Sequence, residues 1–130
     1  MCNEEKQSTA FLYGRLFRII EDAQRCAIGN TNTTIKDKYL AAAATSPARV
    51  FPIIMRKSSN YLQKLRSNNP AAYVAKSKEI SSIMSLIEEN GATSFKARHN
   101  LCEEGEFYLG YFKEDSLIFN SKRRLAKIRI

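Results

Sequence analysis

His99 and Cys102 stand three residues apart, and Glu103, Glu104 and Glu106 follow at once. Together they are the densest group of reactive side chains in the sequence. A Cys–His nucleophilic pair needs a third group to orient the imidazole and a donor site for the oxyanion, and the sequence identifies neither. The three glutamates are of a type that serves acid–base catalysis or metal binding. In the first turn of a helix, however, acids simply complement the positive end of its dipole. One histidine and three scattered cysteines have no zinc-ligand spacing. There is no G-x-x-x-x-G-K and no G-x-G-x-x-G to cradle phosphates. His99 is expected at the surface, as loop histidines mostly are. Catalysis, metal and cofactor are therefore not expected, and the chain reads as a non-enzyme.

The remaining chemistry is cationic. The 130 residues carry a net charge of +8, with 21 Lys and Arg against 13 Asp and Glu, and a polyanionic partner such as nucleic acid follows naturally. The surplus is uneven: residues 1–45 are nearly balanced and the rest holds most of it. Candidate phosphate donors are Arg15, Arg18 and Arg25 on one predicted helix and Arg49, Arg56, Lys57 and Lys64 on another. Lys36 and Lys38 lie between them, and Lys122, Arg123 and Arg124 belong to a basic tail that continues through Lys127 and Arg129. Such contacts confer salt-dependent affinity without sequence information. Phe11, Tyr13, Tyr39 and Tyr61 are of the type that stacks on bases, but Tyr13 and Tyr61 fall on apolar faces and are expected in the core.

These groups must be held by helices. Gly and Pro are scarce (5 and 3), which disfavours a turn-rich β fold. Hydrophobic spacing predicts helix one over Ser8–Ala27, closed by Gly29, with Leu12, Leu16, Ile19, Ile20, Ala23 and Ala27 inward. Arg15, Arg18, Asp22 and Arg25 fall opposite, and Phe11 and Phe17 lie off the apolar stripe, either widening the core or meeting a partner. Thr34 and Asp37 form a capping-box-like start for helix two, which runs to about Ala44. Helix three spans Pro47 to about Ser67, with Val50, Ile54, Ser58, Tyr61, Leu62 and Leu65 inward and the basic residues outward. Asn69 and Pro70 start helix four, which ends at Glu89 before Asn90-Gly91. Asn100 and Glu103 start helix five, expected through Phe112 and weakened by Gly105 and Gly110, whose presence implies close packing. Leu117-Ile118-Phe119 suits a turn or short strand. The expected fold is all-α: a compact bundle of about five helices over residues 1–115, with a basic C-terminal extension over 116–130.

Between helices two and three, Ser46 is placed to cap and Pro47 suits the first helical position. Pro52 deletes a backbone hydrogen bond and should push Phe51 off helical geometry and kink the helix. A helix-turn-helix reader would use this corner, but the kink would disturb the end that enters the groove, and only Arg49 there is a typical base-edge donor. Three widely spaced cysteines suggest a reducing cytoplasm. No run is long and apolar enough for a membrane span, and the acidic N-terminus is unlike a signal peptide.

Ala10-Phe11-Leu12-Tyr13-Gly14-Arg15-Leu16-Phe17, Thr34 to Leu40, Thr45 to Pro52, Tyr61 to Leu65 and Glu104 to Tyr111 occur in an order that resembles the C-terminal region of the large subunit of type I-C CRISPR Cascade. The resemblance covers about residues 10–113 and fades after Phe112. It implies a separately translated small subunit, made from an internal start within the large-subunit gene. Such a subunit packs along the Cascade backbone and large subunits and beside neighbouring copies of itself. It supports the crRNA-guided R-loop and binds the displaced non-target DNA strand in antiviral defence. Nuclease work belongs to a separate protein, and the part of the large subunit that reads the PAM is absent. The alternatives from the residues themselves are an assembly module without DNA contact and a helix-turn-helix regulator.

Overall fold

A computed structural model describes residues 7–29, 35–92 and 94–128, the stretch 121–128 by its backbone alone. Five helices follow in order: α1 Thr9–Ile28, α2 Ile35–Thr45, α3 Pro47–Asn68, α4 Pro70–Glu89 and α5 Leu101–Ile128. There is no strand among the described residues, so the all-α expectation holds.

Local signals set most of the ends. Ser8 accepts from the Phe11 N–H at 3.2 Å and caps α1, and Gly29 at φ 87° stops it, its N–H bonding the Arg25 carbonyl. Asn69 caps α4 through the Ala72 N–H at 3.3 Å. At α5 the capping box is complete: the Glu103 N–H donates to Asn100 Oδ1 at 2.8 Å and the Asn100 N–H to Glu103 Oε1 at 2.9 Å. Thr34 lies outside the described residues. The start of α2 is instead seen at Ile35, whose N–H donates to the buried Gln24 side chain at 3.1 Å.

Three local expectations are corrected. Ser46 makes no side-chain cap. Its place is taken from a distance, as the Ala48 N–H donates to the Lys96 carbonyl at 2.9 Å. Pro52 does not break α3, and Phe51 is helical and fully buried. The carbonyl left without its partner belongs to Ala48, which with Pro52 lies on the exposed side, where water can satisfy it. Third, α5 does not stop near Phe112. Its 28 residues extend about 42 Å and run unbroken through positions 115 and 116, so Leu117-Ile118-Phe119 is helical. After Gly110 no glycine or proline interrupts it, Ile118 is buried, and Glu114 and Asp115 bond to α1.

The bundle is organised around α1, which packs against α3, α4 and α5. Among the described residues α5 lies along α1 and touches α2, and has no close backbone approach to α3 or α4. The core joins Leu12, Leu16, Ile19 and Ile20 to Val50, Phe51 and Ile54 of α3, Ile80, Ile83 and Ile87 of α4, and Phe107 and Tyr111 of α5. Phe17, off the sequence stripe, is wholly buried against Phe51, Phe107 and Tyr111 and so widens the core.

The segment before α5 stitches the α2–α3 corner. Phe95 stacks on Phe51 at 4.8 Å, and Tyr13 lies 5.3 Å from each ring. His99, expected at the surface, is buried. Its Nδ1 lies 2.8 Å from the Ala44 carbonyl and its backbone N–H bonds the Thr45 carbonyl. A carbonyl only accepts, so Nδ1 carries the proton. Both acceptors are among the last four carbonyls of α2, which have no partner within the helix.

Candidate nucleic-acid interface

The outward face of α3 follows from its periodicity. Pro47, Val50, Phe51, Ile54, Ser58, Tyr61 and Leu65 are buried and fall within one arc of the helix. At 100° per residue Arg49, Ile53, Arg56, Asn60 and Lys64 share an arc on the outward side, and Lys57 stands at its edge beside the buried arc. Arg49, Arg56, Asn60 and Lys64 are exposed, and Lys57 is half-buried. Arg49 and Lys64 are separated by fifteen residues, about 22 Å of helix. None of the four cations makes an ion pair with a described residue. The stretch from Lys38 to Lys78 contains eight Lys and Arg and no Asp or Glu, so these four have no acidic neighbour three or four residues away on their own helix. That acid-free run was legible in the sequence and is a sharper signal than the overall charge. It adds two exposed cations the sequence reading left out, Arg66 and Lys78.

The α1 arginines are placed differently. Arg15 Nε bonds Glu114 Oε1 at 2.9 Å, and another guanidinium nitrogen bonds the Gln7 side chain at 2.7 Å. Arg18 Nε bonds Asp115 Oδ1 at 2.8 Å and lies 3.9 Å from Glu21. Burial opposes the Arg18 charge, and these acids outweigh it, raising its pKa. Arg15 and Arg18 thus tie α1 to α5. Arg25 bonds Asp22 at 2.9 Å on its own helix. The structure does not bring these three onto the α3 face.

Asp22 falls on the polar arc of α1 yet is 3% exposed, because Lys76 of α4 reaches it at 2.6 Å. Burial pushes the Asp22 carboxyl up, but Lys76 and Arg25 outweigh that and hold it at about 2. Burial likewise opposes the Lys76 charge, and Asp22 with Glu79 more than restores it. This pair is structural, and nothing in the periodicity of either helix pointed to it.

Lys36 and Lys38 are exposed on α2. Lys36 Nζ sits 5.8 Å above the Tyr111 ring of α5, and Lys38 Nζ 5.7 Å above Tyr39. Both can bind anions, but Lys36 leans toward α5. The side chains of Lys122, Arg123 and Arg124 lie outside the described residues. Among the aromatics, Tyr13 and Tyr61 are core, as expected, and Tyr39 packs against it. The α3 face therefore offers charge and amide or hydroxyl donors rather than stacking platforms. The α2–α3 corner is tied to the segment before α5, through the Lys96 carbonyl at Ala48 and through His99 at Ala44 and Thr45. Among the described residues no cluster of His, Cys, Asp or Glu has metal-binding geometry, and no helix is long and apolar enough to cross a membrane.

Compared with known families, residues 1–119 match the model of a CRISPR-associated protein family, Cas_Csd1. That match covers most of the chain, which belongs to this family. No curated protein matches the chain.

Proposed function

We propose that this member of the CRISPR-associated Cas_Csd1 family is a non-catalytic small subunit of a type I-C surveillance complex, and that it holds the displaced non-target DNA strand along the outward face of α3. Family membership supports a place in a Cascade-like assembly. One observation carries the DNA assignment: Arg49, Arg56, Lys57 and Lys64 line about 22 Å of one helix with no acidic residue within its length. A single-stranded backbone is a flexible polyanion, and a row of cations with no ion pair to a described residue suits it without reading bases. The backbone and large subunits, and the guide RNA in its heteroduplex, are the partners this role requires.

The test is binding of the intact chain to a single-stranded oligonucleotide over a salt series. Reversing all four α3 charges to Glu should abolish most binding while leaving helicity and the melting transition nearly unchanged. Undiminished binding by the folded variant overturns the assignment. Salt-sensitive binding lost only on substituting Lys122, Arg123 and Arg124 overturns it too and moves the site to the end of α5.

A further inference from the structure

Arg98 lies outside every helix, on the segment that crosses the α2–α3 corner. Its main chain is held on both sides. The Lys96 carbonyl accepts from the Ala48 N–H at 2.9 Å, and the His99 N–H donates to the Thr45 carbonyl at 2.8 Å. The buried His99 ring, 2.8 Å from the Ala44 carbonyl, anchors the far side. The first N–H groups of a helix point along its axis, away from its body. The Lys96 carbonyl that meets Ala48 therefore lies beyond the start of α3, and Arg98 stands near that end of the helix. Through the Ala48–Lys96 bond the Cα atoms of Arg49 and Arg98 are no more than about 15 Å apart. Arg49 and Arg56 are separated by about 10 Å along α3, a comparable step. Arg98 is exposed and makes no ion pair with a described residue, whereas its neighbour Lys96 is bound to Glu103 at 2.5 Å. Residues 90–102 contain no Asp or Glu, so the acid nearest to Arg98 in sequence is the Glu103 that Lys96 already holds.

We infer that Arg98 is a strand-binding residue that continues the cation row of α3 past the start of that helix, so that Arg98 and Arg49 hold neighbouring phosphates of one single strand. The inference rests on the proposed role of α3 and adds to that face a residue from a distant part of the chain. Two guanidinium groups held this near one another repel in the free protein, and phosphates between them turn the repulsion into attraction. Each guanidinium offers a planar fork of donors that matches phosphate oxygens, and both side chains are long enough to meet successive phosphates across the gap. Because the main chain around Arg98 is bonded on both sides, less conformational freedom is lost when the residue binds. Lys96 supplies the contrast: it has the same charge and lies two residues away, but its ammonium is engaged by Glu103.

The test is binding of the intact chain to an oligothymidylate of about 20 nucleotides, longer than one such face, over a salt series. Arg98→Gln should lower the salt slope by about 0.7, the share of one phosphate contact, and leave the melting transition in place. Arg98→Lys should keep the slope, and so should Lys96→Gln. Combining Arg98→Gln with Arg49→Gln should lower it by about 1.4. An unchanged slope for Arg98→Gln overturns the inference, and the α3 reading survives that result if reversing the four α3 charges still removes binding. An equal fall for Arg98→Gln and Lys96→Gln also overturns it, since that signals diffuse attraction rather than a defined contact. If the α3 variant binds undiminished, the α3 reading falls and the joint site falls with it.

Discussion

Gly14 of α1 and Gly110 of α5 mark one helix crossing, and each faces the backbone of the other helix. A Cβ on Gly14 would stand 1.9 Å from the Phe107 carbonyl oxygen, and one on Gly110 1.9 Å from that of Phe11. The obstacles are main chain rather than flexible side chains, so the helices themselves would have to separate. Gly14→Ala and Gly110→Ala should each destabilise the bundle by about 2 kcal/mol or more despite alanine's better helix propensity. Gly105→Ala, with open space around it, should stabilise the dilute chain by up to about 1 kcal/mol. Thermal melts of the three variants at low concentration check both signs.

The Asp22–Lys76 pair sets the acid limit of stability. The folded-state pKa of Asp22, about 2, lies below its ordinary 3.8. The carboxylate therefore contributes stability that is fully present above about pH 4 and is lost as the pH falls from there toward 2. Its size is at most about 2 kcal/mol by the same linkage. Asp22→Asn should flatten the decline of stability over that window in urea titrations. Lys76→Met should cost more at neutral pH, because it strands a buried carboxylate with only Arg25 beside it.

His99 is a bolt for the α2–α3 corner. His99→Ala keeps the backbone N–H that bonds the Thr45 carbonyl, but it takes the side-chain donor from the Ala44 carbonyl and removes a ring stacked on Tyr13 at 5.8 Å. A loss of about 1–3 kcal/mol is expected. Oligonucleotide binding by the folded fraction should keep its salt dependence, which separates this structural role from a binding one.

The arginines divide into two kinds by experiment. Substituting Arg49, Arg56, Lys57 and Lys64 by Gln should reduce the salt slope of single-strand binding by about 3, or roughly 0.7 per phosphate contact. Substituting Arg15 and Arg18 by Gln should leave that slope in place. It should instead lower the melting temperature, because Glu114, with a side chain 6% exposed, loses its ion-pair partner.

The sequence by itself determined whatever acts within about one helical turn. The Asn100–Glu103 box, the Asn69 and Ser8 caps and the stop at Gly29 involve residues no more than four apart, so type and spacing suffice. The inward stripe of α3, and hence its basic outward face, follows from a period of 3.6 for the same reason. Tertiary structure alone decided which charges remain available. Arg15 and Arg49 look alike in the sequence, but Glu114 arrives beside Arg15 from 99 residues away and no described acid pairs with Arg49. It also decided that Asp22 and His99 are buried, that Lys96 rather than Ser46 holds the start of α3, and that α5 continues past Phe112. Each of these depends on a partner brought close by the folding of the whole chain. Local propensity carries no record of such a partner, because its free energy appears only when the helices meet.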